Sequence, residues 1–105
     1  MNTMSDTAFV RFIRSARTKR HWSIAEMARR AGLTQPELSR VEGGTRMPTL
    51  RHVKGLAEAF STYPLGDSLE PLDYHRWWSR LGDLAERARI EARSGRKKEA
   101  EDAAK

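Results

Sequence analysis

The segment SIAEMARRAGLTQPELSRVEGGTRMP, residues 23–48, carries the strongest structural signal in this 105-residue chain. Apolar residues recur in it at helical spacing: Ile24, Met27, Ala28 and Ala31, then Leu38 and Val41. Ser23 with Glu26, and Thr34 with Glu37, each fit a capping box at a helix start. Gly32 between them can take the left-handed conformation that ends a helix. The segment predicts two short helices joined by a tight turn, an arrangement that can place the second helix in a DNA major groove.

Helical periodicity continues on both sides of this segment. A first helix is predicted from Phe9 to Arg20, and Thr49 is expected to cap a fourth helix that ends near Phe60. The residues expected to face the core from these two helices are Phe9, Ile13, Ala16, Leu50, Val53, Leu56, Ala57 and Phe60.

Composition divides the chain into five parts. Residues 1–8 predict a mobile N-terminus, and residues 9–62 predict a helix-turn-helix domain. Residues 63–71 contain two of the four prolines and predict a linker. Residues 72–93 predict a long amphipathic helix, and residues 94–105 predict a charged, disordered tail. The predicted fold class is therefore all-α: a compact bundle of about five helices with a central helix-turn-helix and a long C-terminal helix.

The predicted C-terminal helix carries an a/d heptad seam that needs to be covered. Its members alternate in steps of four and three: Tyr74, Trp78, Leu81, Ala85, Ala88 and Ala92. Three hypotheses remain open, namely packing on its own domain, a homodimer interface, or binding of another protein such as a toxin. The candidate dimer or partner face consists of Tyr74, Trp77, Trp78, Leu81, Leu84, Ala85 and Ala88. Gly82 lowers helix propensity by about 1 kcal/mol, which favours close packing or a bend there.

Four pieces of the chain, at consistent spacing, resemble the Cro/C1 (XRE-type) helix-turn-helix family of phage and bacterial regulators. They are IRSAR (13–17), WSIAEMARRAGLTQPELSRVEGG (22–44), RMPTL (46–50) and VKGLAEAF (53–60). The resemblance implies a five-helix bundle that binds a two-fold symmetric operator as a homodimer. It also makes residues 34–42 the recognition helix.

The recognition helix carries side chains that suit the edges of bases. Gln35 can pair with N6 and N7 of adenine, and Arg40 with O6 and N7 of guanine. The resemblance places base readers at Gln35, Pro36 and Arg40, and Ser39 is a further candidate for base readout. Glu37 is expected either to cap the helix or to accept a hydrogen bond from a cytosine amine.

The resemblance also suggests how phosphates are held, through helix starts and the loop after the recognition helix. The candidate phosphate contacts are Ser23, Thr34, Thr45, Arg46 and Thr49. Many family members hold a phosphate with a Gln at the first turn of helix two, where this chain has Ile24. That contact is therefore expected to be either lost or replaced by Ser23, Lys19 or Arg20.

Arg17 and Glu42 occupy positions that form a partly buried salt bridge in members of this family. We therefore expect the same structural salt bridge here. Removing one partner of such a bridge strands a buried charge, which destabilises a protein by about 3–5 kcal/mol.

The positive charge of the chain is concentrated in its first part. Residues 1–60 hold 11 Lys/Arg and 5 Asp/Glu, whereas residues 61–105 hold nine of each. The entire net charge of +6 thus coincides with the helix-turn-helix. Such a distribution is typical of a face that binds phosphates.

Cysteine usage and hydropathy predict the cellular compartment. The chain has no cysteine, so it forms no disulfide. No apolar run approaches the roughly 20 residues that span a bilayer. The expected location is the cytoplasm of a bacterial cell or phage-infected bacterium, in association with the nucleoid.

No metal site, cofactor or enzyme activity is predicted. His21, His52 and His75 lack metal-ligand spacing, and His52 is expected on the exposed side of the fourth helix. Most carboxylates have basic neighbours at helical spacing. The sequence also lacks a phosphate-binding glycine loop and an activated nucleophile.

Three functional hypotheses follow. The favoured one is a sequence-specific regulator of transcription, most simply a dimeric repressor acting on double-stranded DNA. The second is an antitoxin that represses its own operon and binds a toxin through its C-terminal half. The third is a protein-interaction module that has lost DNA binding, against which the polar recognition helix argues.

Overall fold

The computed structural model describes residues 7–65 and 69–103, with side chains up to Arg93. Five α-helices and no strand occur in this part of the chain. They are α1 (Ala8–Lys19), α2 (Ile24–Ala31), α3 (Gln35–Glu42), α4 (Leu50–Thr62) and α5 (Tyr74–Ala103). The all-α prediction with a central helix-turn-helix is confirmed, and the long C-terminal helix is itself the fifth member of the bundle.

Each of the first four helices begins after a hydroxyl side chain that accepts a backbone N–H bond. These caps are Thr7, Ser23, Thr34 and Thr49. Gly32 ends α2 in the left-handed conformation with φ of 68°, as predicted. The predicted mobile N-terminus is too long by two residues, because Thr7 caps α1 and Ala8 begins it. Residues 1–6 lie outside the described part of the chain.

The predicted capping boxes of α2 and α3 form only in part, because their glutamates bond elsewhere. The Glu26 carboxylate lies 2.6 Å from the guanidinium groups of both Arg29 and Arg30. The Glu37 carboxylate bonds His52. Side-chain partners thus occupy both carboxylates in place of the N-cap backbone N–H.

Antiparallel packing of α5 against α4 completes the core. The fully buried Trp77 ring lies 4.8 Å from the Phe60 ring near the end of α4. Twelve residues further along α5, Arg89 donates a 2.8 Å hydrogen bond to the Pro48 carbonyl, just before α4 begins. Of the three hypotheses for the C-terminal helix, packing on its own domain is therefore confirmed.

The predicted dimer or partner face is wrong for its most buried members, which face the core of their own chain. The buried stripe consists of Trp77, Leu81, Ala85 and Ala88, each at most 2% exposed. Its steps of four, four and three follow the period of a straight α-helix rather than a heptad. The partly buried residues packed against the same core are Tyr74, Trp78 and Leu84.

Two further predictions about α4 and α5 are wrong, namely that Leu50 faces the core and that the chain packs closely at Gly82. Leu50 is 64% exposed, because the buried stripe of α4 starts at His52 and Val53. At Gly82 a methyl group would meet nothing within 4 Å, so no close packing requires it. The closely packed glycine is Gly55, where a Cβ would overlap the Ala31 carbonyl.

The predicted disordered tail is also wrong over most of its length. The backbone of α5 continues as a helix to Ala103, well beyond residue 93. Ala, Glu, Lys and Arg dominate residues 94–103, and these strong helix formers extend a helix without needing an apolar face. Residues 104–105 lie outside the described residues.

Candidate nucleic-acid interface

One side of α3 is buried in the core and the opposite side is exposed. Leu38 and Val41 are buried and hold the helix in the core. The four predicted base readers are all exposed: Gln35, Pro36, Ser39 and Arg40. Because residues three or four apart share a helix face, these side chains form one polar surface.

The loop after α3 folds back onto the last turn of that helix. The Arg40 carbonyl accepts hydrogen bonds from the backbone N–H groups of Thr45, at 2.9 Å, and Arg46, at 3.2 Å. The Thr45 hydroxyl donates to the same carbonyl at 3.2 Å. Gly44 permits this turn with its positive φ of 79°. The fold thereby places Thr45 and Arg46 against the last turn of α3, which carries the exposed Arg40.

All five predicted phosphate contacts are exposed, and three of them are helix caps. Ser23, Thr34 and Thr49 each accept a backbone N–H through the side-chain oxygen. This bond uses an oxygen lone pair and, in Ser23 and Thr34, leaves the hydroxyl proton for donation to an anion; the Thr49 hydroxyl lies 3.2 Å from Nδ1 of His52. Helix starts attract phosphate because their backbone N–H groups carry partial positive charge.

The expected Arg17–Glu42 salt bridge is present and ties the end of α3 to α1. Two guanidinium nitrogens of Arg17 bond the Glu42 carboxylate, at 2.6 and 3.0 Å. Arg17 also donates to the Trp22 carbonyl at 2.9 Å. Arg14 adds a 3.0 Å bond to the backbone carbonyl of Glu42. The C-terminal end of α3 is thus joined to α1 by side-chain bonds from Arg17 and Arg14.

Comparison with known proteins agrees with this geometry. A family model described as helix-turn-helix matches residues 13–67, just over half of the chain. The chain belongs to the Cro/C1 (XRE-type) helix-turn-helix family. Members of this family are DNA-binding regulators of transcription and generally have no catalytic activity. No curated protein and no solved structure matches the chain significantly.

In this helix-turn-helix protein, the other end of α3 is held by a buried network that the sequence did not reveal. Glu37 accepts a 2.7 Å bond from Nε2 of the fully buried His52 and a 2.7 Å bond from Arg51. Nδ1 of His52 in turn accepts a 3.0 Å bond from the Thr49 backbone N–H. This network assigns the proton of the neutral imidazole to Nε2. His52 therefore links α3 to the start of α4.

The network corrects two expectations. His52 is not on the exposed side of α4, since its side chain is fully buried. Glu37 neither completes the cap nor faces DNA, because its carboxylate is directed inward and is only 7% exposed. No local pattern marks the pair, because its members lie on different helices and meet only in the folded structure.

The pH dependence of stability should report on this network. Hydrogen bonding from His52, assisted by the charge of Arg51, holds the pKa of Glu37 below its ordinary value of 4.5, against the opposing effect of burial. A carboxyl group with a lowered pKa stabilises the fold above its unfolded pKa, and this contribution is lost as the pH falls through the folded pKa. Glu37→Gln cannot ionise. Its melting temperature should therefore fall less steeply than that of the wild type below pH 4.5.

Melting curves from neutral pH to below 4.5 would measure that difference. Glu58→Gln, which removes an exposed carboxylate from α4, is the charge-matched control. Identical acid-side slopes for wild type and Glu37→Gln would contradict a stabilising role for the ionised carboxylate.

Arg20 is unavailable to DNA, so it cannot take over the phosphate-binding role that Ile24 is unable to fill. Its side chain is only 2% exposed and its guanidinium lies 2.8 Å from the Glu70 carboxylate. It also donates to the carbonyls of Tyr63 and Phe60. Ser23 and Lys19, both exposed, are the remaining candidates for that role.

Neither a metal site nor a membrane-spanning helix occurs among the described residues. No group of three or more His, Cys, Asp or Glu side chains in this part of the chain is placed to hold a metal ion. No helix within the same ranges has both the length and the apolar character needed to cross a bilayer.

Proposed function

We propose that this protein is a dimeric repressor that inserts α3 into the major groove of an inverted-repeat DNA operator. The observation that carries the proposal is the exposed polar face of α3, consisting of Gln35, Pro36, Ser39 and Arg40. Ion pairs near both ends of α3, formed by the buried carboxylates of Glu37 and Glu42, hold this face in position. The proposed activity needs no cofactor.

Each exposed position has a chemical role in the proposal. Arg40 pairs with guanine through two N–H donors, and Gln35 pairs with adenine. Pro36 packs against a thymine methyl group, and Ser39 meets a base or a phosphate. The helix caps and Arg46 hold the backbone on either side and set the register without reading sequence.

In this proposal, the two-fold symmetry of the dimer determines the spacing between the two half-sites of the operator. Half-sites read by two copies should lie about one helical turn apart, roughly 34 Å. Because the buried stripe of α5 is occupied within the chain, the dimer contact uses a different surface. For the same reason the antitoxin hypothesis loses its apolar toxin-binding face, and no observation favours it.

Alanine substitutions should separate base reading from phosphate binding. On an operator selected from random duplexes, Arg40→Ala should lose about 1–3 kcal/mol of discrimination at one base pair. Arg46→Ala should instead weaken binding to all sequences and lower the slope of log K against log salt by about 0.9. Titrations of single-base operator variants at several salt concentrations would measure both effects.

Arg76→Ala provides the control, because this exposed arginine lies at the start of α5, away from the interface. It should change neither quantity. If Arg40→Ala keeps the full base preference of the wild type, then α3 is not the reading element.

A further inference from the structure

The last part of α5 extends past the end of the domain that carries the candidate phosphate-binding residues. Trp77 is level with Phe60 near the end of α4, and Arg89 is level with Pro48 before its start. From Arg89 the helix continues to Ala103, a further distance of about 21 Å at 1.5 Å per residue. The extension therefore leaves the bundle beside the loop that contains Arg46.

Residues 61–105 have no net charge, but their positive and negative side chains are concentrated in different segments. Residues 87–98 contain six basic residues and one acidic residue, a balance of +5. Residues 61–86 have a net charge of −3, and residues 99–105 have a net charge of −2. The positive charge thus lies in the part of α5 that adjoins the proposed DNA-binding end.

The described side chains of this basic segment, residues 87–98, are consistent with binding an anion. Arg87 is exposed, and the side chain of Arg93 is 70% exposed. Glu86 lies next to the segment and compensates part of its charge, pairing with Arg89 at 2.8 Å and with Arg93 at 3.7 Å. Even with Glu86 included, the segment keeps a clear positive excess.

We propose that the basic segment binds the DNA phosphates immediately outside each half-site. This inference rests on the proposed function, since it requires DNA at the end of the domain formed by the loop 45–49 and the start of α4. Duplex DNA carries one negative charge per about 1.7 Å of its axis, so a helix projecting beyond the half-site meets further phosphates there. The contacts extend the footprint and add affinity without adding base specificity.

Paired substitutions on one helix test the proposal in the full-length chain. Arg93→Gln with Arg96→Gln removes two charges from the basic segment. Arg76→Gln with Arg80→Gln removes two from the opposite end of α5 and is the matched control. The first pair should lower the slope of log K against log salt by about 0.9 for each phosphate that is no longer neutralised, with base preference unchanged. The control pair should keep the wild-type slope.

The length of the DNA gives a second, independent readout. Wild type should bind an operator extended by about one helical turn, roughly 10 base pairs, on each side more tightly than one that ends at its half-sites. Arg93→Gln with Arg96→Gln should gain clearly less affinity from the extension than the wild type does. Thermal melting would verify that each variant is folded.

The outcomes distinguish this inference from the function on which it rests. If the wild type binds an operator but gains nothing from flanking DNA, and the salt slopes of the two paired variants agree, the basic segment does not bind phosphates. If the wild type binds no operator at all, the proposed function is wrong, and the inference that rests on it is wrong as well.

Discussion

Gly55→Ala should destabilise the protein by about 3 kcal/mol, at the upper end of typical overpacking effects. Gly55 is buried in α4 where that helix crosses α2. A Cβ at this position would overlap the Ala31 carbonyl oxygen and approach the Ala31 Cβ to 3.4 Å. The obstacle is backbone within a helix, so relief requires α2 and α4 to move apart. This penalty exceeds the roughly 1 kcal/mol that alanine gains over glycine in helix propensity.

Gly82→Ala is the matched control, because it makes the same change inside α5. A methyl group at Gly82 has nothing within 4 Å, so only the propensity gain of up to about 1 kcal/mol applies. Chemical or thermal unfolding of both variants should therefore give shifts of opposite sign. Equal shifts would show that the contact between α2 and α4 at Gly55 is not as close as the structure describes.

Arg20→Ala should destabilise the protein by about 3–5 kcal/mol, because it leaves the Glu70 carboxylate buried without its partner. The two side chains are only 2% and 6% exposed and lie 2.8 Å apart. The Arg20 guanidinium also stacks over Phe60, with its central carbon 4.8 Å from the ring centre, and lies 5.6 Å from the Trp77 ring. Its loss removes the contact that joins α1, the end of α4 and the segment before α5.

Two controls distinguish the effect of an unpaired buried charge on stability from the effect of losing any arginine. Arg29→Ala breaks an exposed pair with Glu26, 69% and 29% exposed, and should scarcely change the melting temperature. Arg20→Met combined with Glu70→Met should be less destabilising than Arg20→Ala, because no charge is left unpaired. If Arg20→Ala melts like the wild type, the buried pair contributes little to holding α5 on the domain.

Local signals predicted the helix-turn-helix almost completely. Ser23 and Thr34 as caps, the left-handed Gly32 and the apolar periodicity of α2 and α3 all act within a few residues along the chain. These features do not depend on how distant segments pack. The exposed face of α3 could be predicted for the same reason, since it is the side opposite Leu38 and Val41.

Side-chain pairs between residues distant in the sequence could not be predicted from local patterns. Glu37 with His52 and Arg20 with Glu70 join residues 15 and 50 positions apart. Each participant alone resembles an ordinary surface residue, and only tertiary packing turns it inward. The Arg17–Glu42 pair, also distant in sequence, was predictable only because of the family resemblance.

The path of α5 required the structure for a different reason. Its aromatic seam predicted burial but not the surface that buries it, because a helix face has the same composition whether it packs on its own domain or on another chain. The 4.8 Å contact between Trp77 and Phe60 decides between these possibilities.

Selection of bound duplexes from a random DNA pool tests most directly whether α3 reads DNA sequence. We expect enrichment of an inverted repeat whose half-site centres lie about 10 base pairs apart, bound far more tightly than scrambled DNA. Recovery of no common motif, with weak and steeply salt-dependent binding to all duplexes, would contradict a sequence-reading role for α3.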